Sequence, residues 1–318
     1  MKTVNIALLG CGSVGGGLVS LLRDQHEQIR RRCRVDLRLR KILVRDSERI
    51  REGVDQTLLT DDPEEVIESA DLVIELLGGL EPARTMIRNA LVESRNVVTA
   101  NKRLLAVAGT DLHDLASVHR VRIGYEASVC GAIPIIRILR SHVNCLDVTQ
   151  ICGIVNGTTN YILTRMAEDS STFAESLEEA QRLGFAEADP TLDVGGIDAA
   201  HKLKILAELA FDQRVCLDDV AVTGIEAIDG SDIESARRRG KVIRHVARAQ
   251  RRGDRIEMSV APEELPRDHP FAAVRGEENA ILVCAAGAGE IFLRGKGAGS
   301  LPSASAVLGD VCDVATSN

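Results

Sequence analysis

The strongest constraint on this chain lies at its start. An apolar run, Val4-Asn5-Ile6-Ala7-Leu8-Leu9, ends in Gly10-Cys11-Gly12-Ser13-Val14-Gly15, and an amphipathic stretch from about Val14 to Arg30 follows. A short apolar run closed by glycines and followed by a helical period predicts strand, tight turn and helix. Gly10 permits the turn, Gly12 lets backbone approach a pyrophosphate, and Gly15 lets the helix pack on the strand. The helix N-terminus adds N–H donors and a partial positive charge. With Ser13 and Val14 inside the turn, the segment is read as a dinucleotide-binding element.

The segments that follow keep the same rhythm. Strands are predicted at Val35 to Val44, Leu72 to Leu77 and Asn96 to Ala100, with a helix from Pro82 to about Ser94. Strands alternating with helices imply βαβ units and a parallel sheet. Near residue 125 the pattern changes to a mixture of helices and further strands. Those strands are expected at Val148 to Val155, Ile256 to Val260, Asn279 to Cys284 and Glu290 to Arg294, with a last helix from Pro302 to about Val314. The expected class is therefore α/β, with a Rossmann-type domain over 1–127, completed by the helix in 300–318. A mixed α+β domain for substrate binding, catalysis and dimerisation is expected over 128–299. The apolar content of Val148 to Val155 predicts a homodimer through that region.

Composition narrows the partners. The 318 residues carry a formal charge of −8, only 2% aromatics and no Trp, which argues against nucleic acid as a partner. No apolar run approaches the ~20 residues of a membrane span, and the N-terminal run is too short for a secretory signal. The eight cysteines form no CxxC pair and read as reduced thiols of a cytoplasmic protein acting on a small molecule.

Several residues carry candidate chemistry. Arg45-Asp46 closes the second strand, where Arg suits a 2′-phosphate and Asp suits ribose hydroxyls. Arg45 comes first, which favours NADP, with Lys41 or Arg40 adding charge; NAD stays open. Lys102 follows the fourth strand, at the carboxyl end where a parallel sheet holds ligands. Glu187, Asp189 and Asp193 crowd one loop and together suit a cationic amino group. Asp198 and Lys202 are four apart and share a helix face. That helix is expected to present Ala199, Leu203, Leu206 and Ala210 inward and His201, Lys204 and Glu208 to water, with Asp198 and Lys202 on the flank.

With these segments in place the chain resembles homoserine dehydrogenase through nearly its whole length. The stretches that carry the resemblance are Gly10–Gly15, Glu75-Leu76-Leu77-Gly78-Gly79, Asn101-Lys102, Tyr125-Glu126-Ala127-Ser128-Val129, Asn156–Leu163, Ala186–Lys202 and Gly295–Val307. It implies NAD(P)-dependent hydride transfer between L-aspartate 4-semialdehyde and L-homoserine, in threonine, methionine and isoleucine biosynthesis. Lys202 matches a lysine that donates a proton to the aldehyde oxygen, and Lys102 a second active-site lysine beside the nicotinamide. Glu187, Asp193 and Asp198 match acids around the substrate's amino end and the reacting oxygen. Gly157 and Thr158 match backbone that contacts substrate, and Gly299 a late glycine on the cofactor. Glu126, with the carbonyls of Val129, Gly131 and Ile133, matches a monovalent cation site, usually sodium. Cys130, Ala132, Phe185 and His201 depart from the family pattern. The last residue, Asn318, falls just after the final core helix, so a form without a C-terminal ACT domain or threonine feedback through it is expected. Two alternatives stand beside this reading: a related amino-acid semialdehyde dehydrogenase, and a nucleotide-sensing relative without catalysis.

Overall fold

A computed structural model describes residues 1–317. The chain divides into two compact units, Met1–Ala132 with the segment from Gly299 onward, and Ile133–Ala298.

In the first unit, β1 (Lys2–Leu9) leads through the glycine turn into α1 (Ser13–Asp24). Next come α2 (His26–Cys33), β2 (Val35–Leu43), β3 (Leu59–Thr60), α3 (Pro63–Glu68), β4 (Leu72–Glu75), α4 (Ala83–Val92), β5 (Asn96–Thr99), α5 (Lys102–Val118) and β6 (Ile123–Gly124). The strands form one parallel sheet in the order β3-β2-β1-β4-β5-β6. Strand order reverses between β1 and β4, the switch point at which open α/β sheets bind ligands beyond their carboxyl ends. The central strands β4 and β5 are buried on both faces and read as short apolar runs, whereas β2 alternates in its middle, where Arg38 and Arg40 are exposed. Ile6, Leu8, Ile42, Leu72, Ile74 and Val98 are all fully or almost fully buried.

The C-terminal helix, Ser300–Thr316, completes this core with Ala304, Val307 and Val311. It packs on α1 so closely that a Cβ on Gly17 would lie 2.8 Å from the Ser300 hydroxyl, which itself donates to the Ser13 carbonyl at 2.6 Å. Further along, the Asp310 carboxylate accepts from the backbone N–H of Glu126 at 2.7 Å, across 184 residues of chain. Gly124 must be a glycine at this crossing, since its Cβ would sit 2.9 Å from that of Asp310.

The second unit contains α6 (Ile135–Ser141), β7 (Val148–Ile154), α7 (Gly157–Asp169), α8 (Phe173–Arg182), α9 (Thr191–Val194) and α10 (Ile197–Phe211). After these come β8 (Val220–Val222), α11 (Gly230–Arg238), β9 (Lys241–Arg252), β10 (Arg255–Pro266), β11 (Glu278–Ala285) and β12 (Gly289–Lys296). Its sheet runs β12-β11-β7-β9-β10-β8, antiparallel except for the β10–β8 pair.

The α/β class expected from the alternation of strands and helices is the one observed. Three local expectations change. The single helix over 14–30 is two, broken at Gln25, whose backbone (φ −105°, ψ 8°) leaves the helical region. β9 lay unseen in an arginine-rich segment, because its apolar residues are interleaved with long cations. The apolar run at Val148–Val155 needs no second copy to cover it: Ile151, Ile154 and Val155 are already buried within the chain.

The Asp310 crossing yields a test. Asp310→Ala is expected to cost about 1.5–3 kcal/mol, the value of a hydrogen bond to a charged group, and Asp310→Asn, which keeps an acceptor, less than half of that. Urea midpoints with unchanged m values measure both, and an unaltered midpoint for the alanine variant would show that the Glu126 turn stands without Asp310.

Candidate active site

The first unit gathers its polar groups at the carboxyl ends of the strands. Gly10 has φ +98°, and a Cβ on Gly15 would lie 2.6 Å from the Gly10 carbonyl oxygen. Gly12 is the N-cap of α1 and supplies no side chain to the helix's first N–H groups, and a Cβ there would meet nothing within 4 Å. The turn is thus closed behind and open in front of the helix N-terminus, as a phosphate cradle requires. These residues therefore fit a dinucleotide. Gly299, also in this unit, has φ +121° and opens the C-terminal helix.

Glu75 is a hub that motif reading left without a role. It ends β4 fully buried; Oε1 accepts from the N–H groups of Leu77 and Gly78 at 2.8 and 3.1 Å, and Oε2 from the Thr99 hydroxyl at 2.5 Å. The Thr99 oxygen accepts from the N–H of Asn101. The Asn101 side chain in turn donates to the Gly79 carbonyl at 2.7 Å and caps α5 through the N–H of Leu104. Lys102, half-buried, is the first residue of the helix so fixed. The signal available in the sequence was a carboxylate inside Leu-Val-Ile-Glu-Leu-Leu, where an acid is costly unless satisfied.

At the end of β2 the structure separates the candidates. Arg45 is exposed. Asp46 turns onto its own loop and accepts from the N–H groups of Glu48 and Arg49, both at 3.1 Å. Lys41 and Arg40 do not join Arg45: Lys41 pairs with Glu65 at 2.5 Å and Arg40 donates to Asn5 at 2.7 Å. The missed cation is Arg51, which donates to the carbonyls of Asp46 and Arg49 at 2.9 Å. Burial raises the pKa of the Cys11 thiol in the glycine turn, and the Arg51 charge draws it back down.

Glu126, Val129 and Gly131 fall in the first unit and Ile133 opens the second. Glu126 and Val129 are buried, and Cys130 and Gly131 have φ of +56° and +51°. The Ile133 carbonyl already accepts from the N–H of Ile135 at 2.8 Å. A carboxylate and backbone carbonyls are the kinds of oxygen ligand that hard cations take. No group of three or more His, Cys, Asp or Glu suited to a metal ion occurs among the described residues.

The second unit builds its site around Asn156. That residue caps α7, its Oδ1 accepting from the N–H of Thr159, while its amide donates to Asp193 at 2.7 Å and to Asp198 at 2.9 Å. The same Asp198 oxygen accepts from the Lys202 ammonium at 2.7 Å, and the ammonium also donates to the Val155 carbonyl at 2.7 Å. Asp198 and Lys202 are 6% and 8% exposed, so this is a buried ion pair and not a surface one. Thr158 donates to the Phe185 carbonyl at 2.6 Å, with Asp193 Oδ2 at 3.2 Å from the hydroxyl. Gly157 cannot carry a Cβ, which would sit 2.8 Å from the Glu277 carbonyl. Gly196, with φ +84°, bends the chain into α10 against Val222 and His245.

The loop acids do not act as one cluster. Asp189 is spent on the Thr191 hydroxyl and N–H, which lower its pKa, and Glu187 is exposed, its carbonyl held by Gln181 at 3.1 Å. Only Asp193 joins Asp198. The expected wet side of α10 is also corrected: His201 and Lys204 are buried, because strands and helices pack on this helix from several directions, and Lys204 is neutralised by Glu208 at 2.7 Å.

Comparison with known proteins gives the family. A family model described as homoserine dehydrogenase matches residues 134–312, and one described as homoserine dehydrogenase, NAD binding domain, matches residues 10–126. The homoserine dehydrogenase of Bacillus subtilis (strain 168) is 43% identical over 317 residues, which cover 99% of this chain and 73% of that protein. Among solved structures, a homoserine dehydrogenase from Thiobacillus denitrificans matches with a TM-score of 0.96 at 40% identity, over 99% of this chain and 74% of that one. A hyperthermophilic archaeal homoserine dehydrogenase in complex with NADPH matches with a TM-score of 0.83 at 28% identity, over 98% of both chains. The chain therefore belongs to the homoserine dehydrogenase family, NAD(P)-dependent oxidoreductases that act on a CH–OH group.

Proposed function

We propose that Lys202 is the proton donor in the interconversion of L-aspartate 4-semialdehyde and L-homoserine, with Asp198 and Asn156 positioning it. The observation that carries this is the buried Asp198–Lys202 pair, tied at 2.7 Å to the Val155 carbonyl. A reduced nicotinamide, when bound, supplies the hydride to the aldehyde carbon. The carbonyl oxygen then gathers negative charge, which an ammonium stabilises before giving it a proton. In the direction of homoserine oxidation, neutral Lys202 accepts the hydroxyl proton. Asp193, beside Thr158 and Gly157, and Glu187 at the exposed end of the loop are assigned to the substrate's amino group. Lys102, at the first turn of α5, is assigned to the nicotinamide end of the cofactor.

The preferred cofactor is read as NADP. Asp46 is committed to its own loop, which leaves Arg45 for a 2′-phosphate and Arg51 to add positive charge near the glycine turn. Glu126 and the carbonyls of Val129, Gly131 and Ile133 are read as a sodium site. A homodimer is read through the sheet of the second unit, where Phe292 on the edge strand β12 is 38% exposed. A cytoplasmic location follows from the biosynthetic reaction; no helix among the described residues is long and apolar enough to cross a membrane.

Lys202→Ala is expected to lower kcat for NADPH-dependent aldehyde reduction by about 10²–10⁴-fold, with the dissociation constant of NADPH changed less than threefold. Near-parental turnover would remove Lys202 from the mechanism. Arg45→Ala is expected to weaken NADP binding roughly tenfold to a hundredfold, from loss of a bond worth about 1.5–3 kcal/mol, and to leave NAD binding unaltered. Equal losses for both cofactors would refute the 2′-phosphate role. Sedimentation at micromolar concentration is expected to give a dimer, and replacing sodium by a large organic cation to reduce turnover. A monomer, or cation-independent rates, would count against those two assignments.

A further inference from the structure

Away from Asp198 and Lys202, the second unit holds a cleft of about 350 Å³ bounded by the C-terminal half of α7, by α11, by the start of β9 and by the turn at Pro270–Ala273. Its charge opposes that of the chain. The chain carries a formal −8, yet Arg237, Lys241, Arg244, Arg267 and Arg275 line this cleft against one carboxylate, Glu168. Arg275 meets Glu168 at 3.1 Å, and Arg237 and Lys241 reach Glu234 and Glu264 at 3.7 and 3.4 Å. These are exposed pairs of the weak kind.

Arg244 is different in kind. It is 3% exposed, and its guanidinium donates to neutral carbonyls, those of Ile243 at 3.1 Å and Ala272 at 3.2 Å; its Nε has no hydrogen-bond partner among the described residues. Burial lowers its pKa to about 10; the nearby charge of Arg275 pushes the same way and the Glu168 carboxylate pushes back, so the group is still a cation at neutral pH. A buried charge without a carboxylate in contact is costly, and an anion in the cleft would compensate it.

We propose that this cleft binds the phosphate group of a small phosphorylated molecule. Guanidinium forks match phosphate oxygens in geometry and charge. The volume lies within the ~300–1,000 Å³ range of small-molecule sites and exceeds what a bare phosphate needs. Ala167, Ile233, Val242 and Ala272 give it an apolar wall for an organic body.

The test is a titration of inorganic phosphate and of glycerol 3-phosphate into the full chain, read by thermal unfolding. Ionic strength is fixed with sodium chloride, and saturating NADPH fills the glycine turn, which would otherwise bind phosphate too. Both probes are expected to raise Tm saturably, glycerol 3-phosphate at least as tightly as phosphate. The Arg267→Gln/Arg275→Gln double variant, altered at exposed positions, is expected to weaken both by tenfold or more with turnover unchanged. Glycerol 3-phosphate binding clearly more weakly than phosphate would overturn the organic-body part of the proposal. A Tm response identical in parent and variant, or one that only rises linearly as excluded salts produce, would overturn the site itself.

Discussion

Placing an ammonium and a carboxylate under 10% exposure is the most demanding thing this fold does, and much of the second unit is arranged to make it tolerable. Desolvating either ion alone costs several kcal/mol, and their mutual attraction offsets that only when the remaining lone pairs and protons are satisfied. Asp198 meets this condition with two donors on one oxygen, the Lys202 ammonium and the Asn156 amide. Lys202 meets it with Asp198 and the Val155 carbonyl. Val155 and Asn156 are consecutive, at the junction of β7 and α7, so one stretch of backbone holds both members of the pair. The same Asn156 amide also fixes Asp193, and its carbonyl side caps α7. Removing that side chain would take one donor from each of two carboxylates and the cap from a helix N-terminus at once.

The first unit solves the complementary problem of holding a polar loop at the end of a buried sheet. The oxygens of buried Glu75 are taken up by the N–H groups of Leu77 and Gly78 and by the Thr99 hydroxyl. Through Asn101 the same network sets the start of α5, and hence the position of Lys102. At the glycine turn the logic is inverted: the N-terminus of α1 is left without a side-chain cap, so its donors remain for a ligand's phosphates. Each unit thus spends buried hydrogen bonds on rigidity close to the residues assigned to chemistry, the condition under which such groups contribute most.

What could be read directly from residues was whatever depends on near neighbours in the chain. The glycine turn, the alternation of strands and helices, and the i, i+4 spacing of Asp198 and Lys202 are local patterns, and the structure displays all three. What failed depends on who packs against whom. His201 and Lys204 looked like the wet side of α10 because periodicity assumes one buried face, whereas this helix is enclosed on several sides. Glu187, Asp189 and Asp193 looked like one cluster because they are close in sequence, but Asp189 is consumed by a local turn with Thr191. Asn156 lies in a stretch that carries the family resemblance, yet its role as hub depends on partners 37 and 42 residues away. Glu75 needed the neighbouring strand β5 to supply Thr99 before its burial made sense.

The central claim is that Asp198 acts on the reaction through Lys202, the two forming one buried unit. A double-mutant cycle with Asp198→Asn and Lys202→Met, measured on the single-turnover rate of aldehyde reduction and on urea stability, tests it most directly. Residues that act as a unit are strongly non-additive. The double variant should react no more slowly than Lys202→Met alone, and should be at least as stable as either single variant, because it leaves no unpaired buried charge. Rate losses that multiply in the double variant, together with additive losses of stability, would show that the two residues act independently and would contradict the account.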